Sequence, residues 1–259
     1  MGISGRLPRH IGRSLVRPIG GSRTARATAT ALLLAGALAP IGAGTASAHT
    51  FGPHSAGIKD SNWGGYVAQG SFSKVTGSWV EPHATCNSSN DLFAPWVGLD
   101  GYGSQTVEQT GVQTDCSSGS PVLSAWYEMY PAAPVYWNDP VSEGDHFTAS
   151  VVSQGNGAYT LTLTDDTQGW TETTEQSLDG RNASVEAVIE SPTQSYPSFD
   201  RLDFSNVTVD GQPLDAVGPQ PLTSGGYSPG ALQGGSFTMT PGGPQPHTPH
   251  NARPPRVRS

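Results

Sequence analysis

Basic residues are scarce in this 259-residue chain, and most of them lie near its ends. Thirteen Lys and Arg stand against 21 Asp and Glu, a formal net charge of −8. Six of the bases (Arg6, Arg9, Arg13, Arg17, Arg23 and Arg26) fall in the first 48 residues, which contain no acid. Without that segment seven bases face 21 acids, a net of −14. Arg253, Arg256 and Arg258 close the chain, so the body keeps only Lys59, Lys74, Arg181 and Arg201. Such an acidic surface repels nucleic acid and anionic membranes, and neither is expected as a partner. It also leaves few carboxylates with an ion-pair partner. Acid unfolding largely reflects the loss of such pairs, so there is little to lose. Charge alone leaves two readings level: simple solubility of an exported protein, or a protein built to work in acid.

Histidine is nearly absent from the body. Of seven, His10, His49, His54, His247 and His250 lie near the ends, leaving His83 and His146. That argues against a His-dependent triad or a His-rich metal site. In acid an imidazole base would be protonated anyway. There is no Gly-x-Ser-x-Gly, no phosphate loop and no His-Glu-x-x-His. Cysteine is limited to Cys86 and Cys116, too far apart for a zinc-type pair. In an oxidising compartment they are expected to form a disulfide. It would close a loop of about 30 residues, worth roughly 3–4 kcal/mol in the chain-entropy model. No metal and no cofactor are implied.

Only 13% of the chain is charged, while Gly and Pro number 33 and 22. This composition excludes a coiled coil. Six Trp, eight Tyr and seven Phe argue against a disordered acidic chain.

The one long apolar run covers residues 27–41, centred on Ala31-Leu32-Leu33-Leu34-Ala35. It follows the Arg-rich start and precedes Ala46-Ser47-Ala48, a small-x-small cleavage pattern. Basic, apolar, then small is the order of a secretory signal, expected over residues 1–48. Pro40 leaves the run short for a membrane span. After signal cleavage the protein is expected to be soluble, extracellular and monomeric. Residues 49–57 read as a short flexible leader, residues 58–240 as one domain, and residues 241–259 as a disordered Pro/Gly/Arg tail.

Within the domain the pattern is strands and turns. Phe147, Ala149 and Val151 alternate with Thr148 and Ser150. Gly155-Asn156-Gly157 then turns the chain into Tyr159, Leu161 and Leu163, alternating with Thr160 and Thr162. That is a hairpin with one buried face. Further strands are expected over 63–69, 75–80, 94–100, 106–112, 122–130, 183–190, 202–209 and 234–240. Many short strands and no sustained helical period predict an all-β fold, a sandwich or barrel.

Four strands carry unusual residues: Trp96-Val97-Gly98-Leu99-Asp100-Gly101, Val107-Glu108-Gln109-Thr110-Gly111-Val112, Ala125-Trp126-Tyr127-Glu128-Met129-Tyr130-Pro131 and Val185-Glu186-Ala187-Val188-Ile189-Glu190. Residues two apart share a sheet face. Trp126, Glu128 and Tyr130 therefore share one, as do Val107, Gln109 and Gly111, and as do Glu186 and Glu190. Such a face suits a cleft that grips a polymer. On pattern alone, ordinary solvent-facing strand positions explain it better.

Together these segments resemble the glutamic peptidases, or eqolisins. The resemblance begins at Ser61-Asn62-Trp63-Gly64-Gly65 and continues through Thr76-Gly77-Ser78-Trp79-Val80-Glu81-Pro82. It then takes in the four strands above and Glu143-Gly144-Asp145, in the family's order. It implies a jelly-roll-like, concanavalin-like sandwich of two antiparallel sheets. It implies a catalytic pair, Gln109 and Glu190, and a substrate cleft lined by Trp63, Trp96, Trp126 and Glu128. Ser124, Met129 and Gln113 depart from the family's usual residues, which bears on subsites and pH optimum rather than on the pair. Fungal members carry a pro-segment longer than residues 49–57, so whether this chain has a proform stays open.

The residue types suit peptide hydrolysis of protein or peptide substrates in acid. Glu190 as carboxylate can take a proton from water and return it to the leaving nitrogen. Gln109 does not titrate, and its amide can donate to the oxyanion at any pH. Two rivals remain at this stage. One is a glycoside hydrolase using Glu128 and Glu190. The other is a non-catalytic carbohydrate-binding sandwich.

Overall fold

The computed structural model describes residues 50–54 and 62–242. The expected signal sequence and nearly all of the expected tail lie outside them. The strands are β1 (Trp63–Gln69), β2 (Lys74–Val80), β3 (Leu92–Asp100), β4 (Val107–Asp115), β5 (Val122–Tyr130), β6 (Val135–Tyr136), β7 (His146–Gly155) and β8 (Ala158–Asp165). They continue as β9 (Trp170–Ser177), β10 (Ser184–Glu190), β11 (Leu202–Val209), β12 (Gln212–Pro213), β13 (Gln220–Leu222), β14 (Tyr227–Pro229) and β15 (Phe237–Pro241). One short 3-10 turn, Leu214–Val217, is the only helical element among the described residues.

Two antiparallel sheets result, as expected. The first runs β13-β1-β10-β3-β4-β5-β6 and the second β14-β15-β11-β2-β7-β8-β9, with β12 paired to β11. Each sheet joins a run of consecutive strands, β3-β4-β5-β6 in the first and β7-β8-β9 in the second, to neighbours that are distant in sequence, so each combines a meander with crossovers. The expected hairpin is β7–β8. Asn156 and Gly157 have φ of 53° and 73°. Those positive angles belong to a two-residue turn whose twist matches the strands, which is why Asn-Gly favours it.

The inter-sheet core takes every second residue from both sheets. The first sheet contributes Phe93, Val97, Leu99, Val112, Ala125, Val185, Ala187 and Ile189. Trp79, Phe147, Val151, Leu161, Leu163, Phe204 and Val207 meet them from the second. Cys86 and Cys116 are bonded to each other, and they tie the loop after β2 to the end of β4.

Five strands lie outside the expected ranges: the short β6, β12, β13 and β14, and one long strand, β9. β9, Trp-Thr-Glu-Thr-Thr-Glu-Gln-Ser, is polar on both faces and carries no apolar alternation. It forms because it pairs along its whole length with β8. It ends the second sheet, and its Glu172 and Glu175 charge an edge that would otherwise invite further pairing.

Candidate active site

The first sheet is buried on both faces. No position in β3, β4 or β10 reaches even intermediate exposure. One face belongs to the inter-sheet core. The other carries a second apolar cluster of Trp63, Val67, Trp96, Val107, Trp126 and Val188, together with Phe51. Gln109, Glu128 and Glu190 lie on this outer face and are all fully buried. The solvent-facing explanation of these strand positions is therefore wrong. Polar residues appear here because the face is covered, not because it is wet.

Register places them side by side. Gln109 on β4 is directly opposite Glu128 on β5 and Gly98 on β3. Glu190 closes β10 opposite Ala94 on β3 and Trp63 on β1. Trp96 lies between, opposite Gly111. A Cβ on Gly111 would come within 2.7 Å of the Trp96 Cβ, and one on Gly98 within 2.8 Å of the Trp96 ring. The two glycines make room for the indole beside Gln109.

The hydrogen bonds turn this neighbourhood into a site. The Gln109 Nε2 amide donates to Glu128 Oε2 at 2.9 Å and to the Phe51 carbonyl at 2.8 Å. Two acceptors around one nitrogen fix which end of the amide is which. Gln109 Oε1 has no partner among the described residues. Glu190 Oε1 accepts from Asn62 Nδ2 at 2.7 Å and from the Gly52 N–H at 3.2 Å. Its Oε2 accepts from Trp96 Nε1 at 3.2 Å. Glu128 Oε2 also accepts the Phe51 N–H at 3.0 Å.

Residues 50–54 thus lie across the outer face, against the expectation of a flexible leader. Phe51 is fully buried, its ring stacked on Trp126 with centroids 4.4 Å apart and planes at 10°. His54 pairs with Tyr102 as a parallel bridge. Its N–H donates to Gly101 O at 2.8 Å, and its carbonyl accepts from Gly103 N–H at 3.1 Å. The imidazole packs against Trp63 and Tyr102. An apolar ring and a paired backbone hold the segment down, features too few and too local to stand out in nine residues of sequence.

Electrostatics follow burial. Glu190 is pushed well above the ordinary carboxylate range, by burial first and then by the nearby Glu128. The N–H groups of Gly52, Trp63 and Asn62 pull in the other direction without overcoming burial. Burial raises Glu128 to about 8, against hydrogen bonds from Phe51 and Gln109. A carboxyl at such a position holds its proton in acid and can deliver it.

All six sequence-derived site residues meet on this face. Two further contributors were not singled out from sequence: Asn62, which orients Glu190, and Phe51. Asn62 lies in the Ser61-Asn62-Trp63-Gly64-Gly65 motif, where Trp63 is the residue with distinctive bulk. Among the described residues no group of three or more His, Cys, Asp or Glu could hold a metal ion.

Comparison with known proteins points to the same fold. Scytalidopepsin B of Scytalidium lignicola is 36% identical over 113 residues, 42% of each chain, so the match spans less than half of that relative's length. Scytalido-glutamic peptidase, solved with a transition-state analog inhibitor, superposes with a TM-score of 0.60 at 24% identity. The same peptidase with a peptide-based transition-state analog gives 0.60 at 26% identity. Each of these two matches covers 71% of this chain and 99% of the solved one. The model of the Peptidase A4 family matches residues 61–221, from the Asn62-Trp63 segment through the strand that ends in Glu190, and the chain belongs to that family.

Proposed function

We propose that the protein is a secreted acid endopeptidase that hydrolyses peptide bonds in proteins with Gln109 and Glu190 as its catalytic pair. The reading rests on one observation. Gln109, Glu128 and Glu190 converge on the two sides of a single peptide unit, the bond from Phe51 to Gly52. The Gln109 amide meets the carbonyl oxygen, and Glu190 meets the nitrogen.

Each residue's chemistry follows from that placement. As the carbonyl carbon becomes tetrahedral, negative charge grows on its oxygen. A preset N–H donor aimed at that oxygen stabilises the charge without reorganising. Gln109 supplies the donor, and Glu128 holds the amide by taking its other N–H. Glu190 acts in its ionised form, which the cover of residues 50–54 disfavours and which water readmitted to an open cleft favours; as carboxylate it removes a proton from the attacking water, then returns it to the departing nitrogen. Gln109 Oε1, buried and unpartnered among the described residues, is an acceptor for the second water proton. Glu128 also takes the N–H of the residue on the acyl side, which fixes the strand direction of the substrate. Asn62 and Trp96 keep the Glu190 carboxyl in its plane.

In the glycoside-hydrolase reading Gln109 has no task, whereas here both of its N–H groups are engaged by the peptide carbonyl and Glu128. The test is digestion of a denatured protein at about pH 4, near the reference value for Glu. Glu190→Gln should lower the rate by about 10²–10⁴-fold while leaving the fold intact. Wild-type rates in that variant, or activity on polysaccharide with none on protein, would overturn the reading.

A further inference from the structure

The group that orients Glu190 is itself held in place. Asn62 Nδ2 donates to Glu190 Oε1 at 2.7 Å, closer than the Gly52 N–H or Trp96 Nε1, both at 3.2 Å. Asn62 stands just before β1, and two donors from the loop after β10 fix its backbone. Its carbonyl accepts the Ser191 N–H at 3.0 Å and the Tyr196 hydroxyl at 3.1 Å. The Tyr196 oxygen also lies 2.8 Å from Ser224 Oγ. Three distant stretches of chain are thereby joined at one carbonyl. The Tyr196 ring packs on Tyr227, with centroids 5.5 Å apart, and on Phe93 at 6.1 Å. A Cβ on Gly225 would collide with that ring, so glycine there admits it. Ser224 is buried and exchanges two backbone bonds with Tyr227, at 3.1 and 2.8 Å. The loop that carries Tyr196 is tied down as well. Ser191 Oγ accepts the Ser195 N–H at 3.0 Å, and Ser195 Oγ donates to Asp91 Oδ1 at 2.6 Å.

We propose that Tyr196 is a positioning residue for Glu190, acting through Asn62, with Ser224 supporting its hydroxyl. This rests on the peptidase reading above and adds to it a residue that no motif singled out. Tyr196 bonds to Asn62, not to the reacting atoms. A donor held at one place favours the ionised carboxyl, the form that takes a proton from water. Without the Tyr196 hydroxyl the Asn62 backbone loses one of its two anchors, and its side chain no longer meets Oε1 at a fixed distance. The carboxyl then keeps its proton to higher pH. The other groups facing it leave that sign unchanged. Glu128 on β5 is the titratable neighbour that raises Glu190, while Trp63 on β1, Trp96 on β3 and the Gly52 N–H are uncharged donors. His54 packs on the Trp63 ring. Because the change falls on the reacting carboxyl and not on the groups that grip substrate, it should appear in kcat rather than in KM.

The experiment measures kcat and KM from about pH 2 to 6, spanning the Glu reference value, on a peptide that the wild-type enzyme cleaves. Tyr196→Phe keeps the ring and removes the hydroxyl. Its kcat at about pH 4 should fall roughly 3–10-fold, the worth of one ordinary hydrogen bond, with KM within about twofold. The acid limb of the kcat profile should move up by about half a pH unit. Asn62→Ala should lose more, and adding Tyr196→Phe to it should cost nothing further, because both act through one contact. Ser224→Ala should move the limb in the same direction by less. Tyr227→Phe is the control: its hydroxyl bonds to the Phe199 N–H in the same aromatic cluster. That variant should lower the unfolding temperature and leave the acid limb where it is. A limb unmoved by Tyr196→Phe and by Ser224→Ala overturns the positioning role. So does an equal shift from Tyr227→Phe, or losses from Tyr196→Phe and Asn62→Ala that multiply. In each of those cases Glu190-dependent cleavage by the wild type leaves the peptidase reading standing. Wild-type rates in Glu190→Gln overturn both.

Discussion

In the second sheet β8 alternates from end to end: Tyr159, Leu161, Leu163 and Asp165 are buried, while Ala158, Thr160, Thr162 and Thr164 are half-exposed. In the first sheet β3, β4 and β10 have no such rhythm, because every position is buried. The inward faces of the two sheets do the same work and share one core. Their outward faces differ. The second sheet turns Thr, Ser and Gln to water, where cross-strand pairs such as Thr162–Thr173 and Thr164–Thr171 meet. The first sheet turns Gln109, Glu128 and Glu190 outward among three tryptophans, under residues 50–54. Alternation survives in both. What separates scaffold from site is whether the outer face is covered.

The sharpest way to break this comparison is on the covered face. Gln109→Ala should lower digestion of a denatured protein by about 10²–10³-fold, the range for removing one oxyanion donor. The unfolding temperature should change little by comparison. If Gln109→Ala loses stability rather than rate, the outer face of the first sheet is structural like that of the second.

Leu161→Ala asks the opposite of the second sheet. It opens a cavity in the shared core, where Leu161 is fully buried. A loss of about 2–5 kcal/mol is expected in denaturant unfolding, with the specific activity of the folded fraction unchanged. Thr173→Ala on the exposed edge should stay within about 0.5 kcal/mol. An activity loss from Leu161→Ala would mean that the sheets are coupled through the core.

The smallest effect per residue, though shared by several, is the pH dependence. Burial raises Glu81 to about 8, Glu108 to about 9 and Glu128 to about 8. Glu186 and Glu190 are also raised well above the ordinary range, chiefly by burial. These groups keep their protons when folded and lose them when unfolded above the usual Glu value. Their stabilisation is complete below about pH 4.5 and is lost progressively as pH rises towards 8–9. The unfolding temperature should therefore fall from acid to mildly alkaline pH. Glu108→Gln, on the core-facing side of β4, should flatten the slope without touching the proposed catalytic pair. A curve that rises with pH would show that ion pairs, not buried neutral acids, govern the molecule. Among the described residues the ion pairs are His83–Glu143 and Arg201–Asp203. Scarcity of bases thus acts in two ways: few pairs are lost in acid, and the buried acids stay neutral there.

Much of this was legible in order and alternation. The strand bounds 63–69, 122–130 and 202–209 match the observed elements, because each is a stretch rich in aromatic and aliphatic residues bounded by turn residues. β9 was not legible, because an edge strand can be made by its neighbour's hydrogen bonds without apolar residues of its own. The proposed Gln109–Glu190 pair rests on the family's ordered motifs rather than on chemistry. Nothing local marks one Gln among strand residues as an oxyanion donor. Asn62 lies in such a motif with no role attached to it, and Phe51 lies in none, since the importance of both rests on partners more than 70 residues away.

The sequence by itself determined the sheet class, the alternation that gives each strand two faces, and the acid-rich body with almost no bases. These are properties of neighbours along the chain. Only the tertiary structure decided that the outer face of one sheet is sealed, that Gln109 and Glu128 stand opposite each other on adjacent strands, and that Phe51–Gly52 lies between Gln109 and Glu190. Register between strands far apart in sequence, and the covering of a face by a distant segment, set those outcomes. Burial then does what no local pattern can announce: it holds a set of ordinary glutamates protonated far above their usual range.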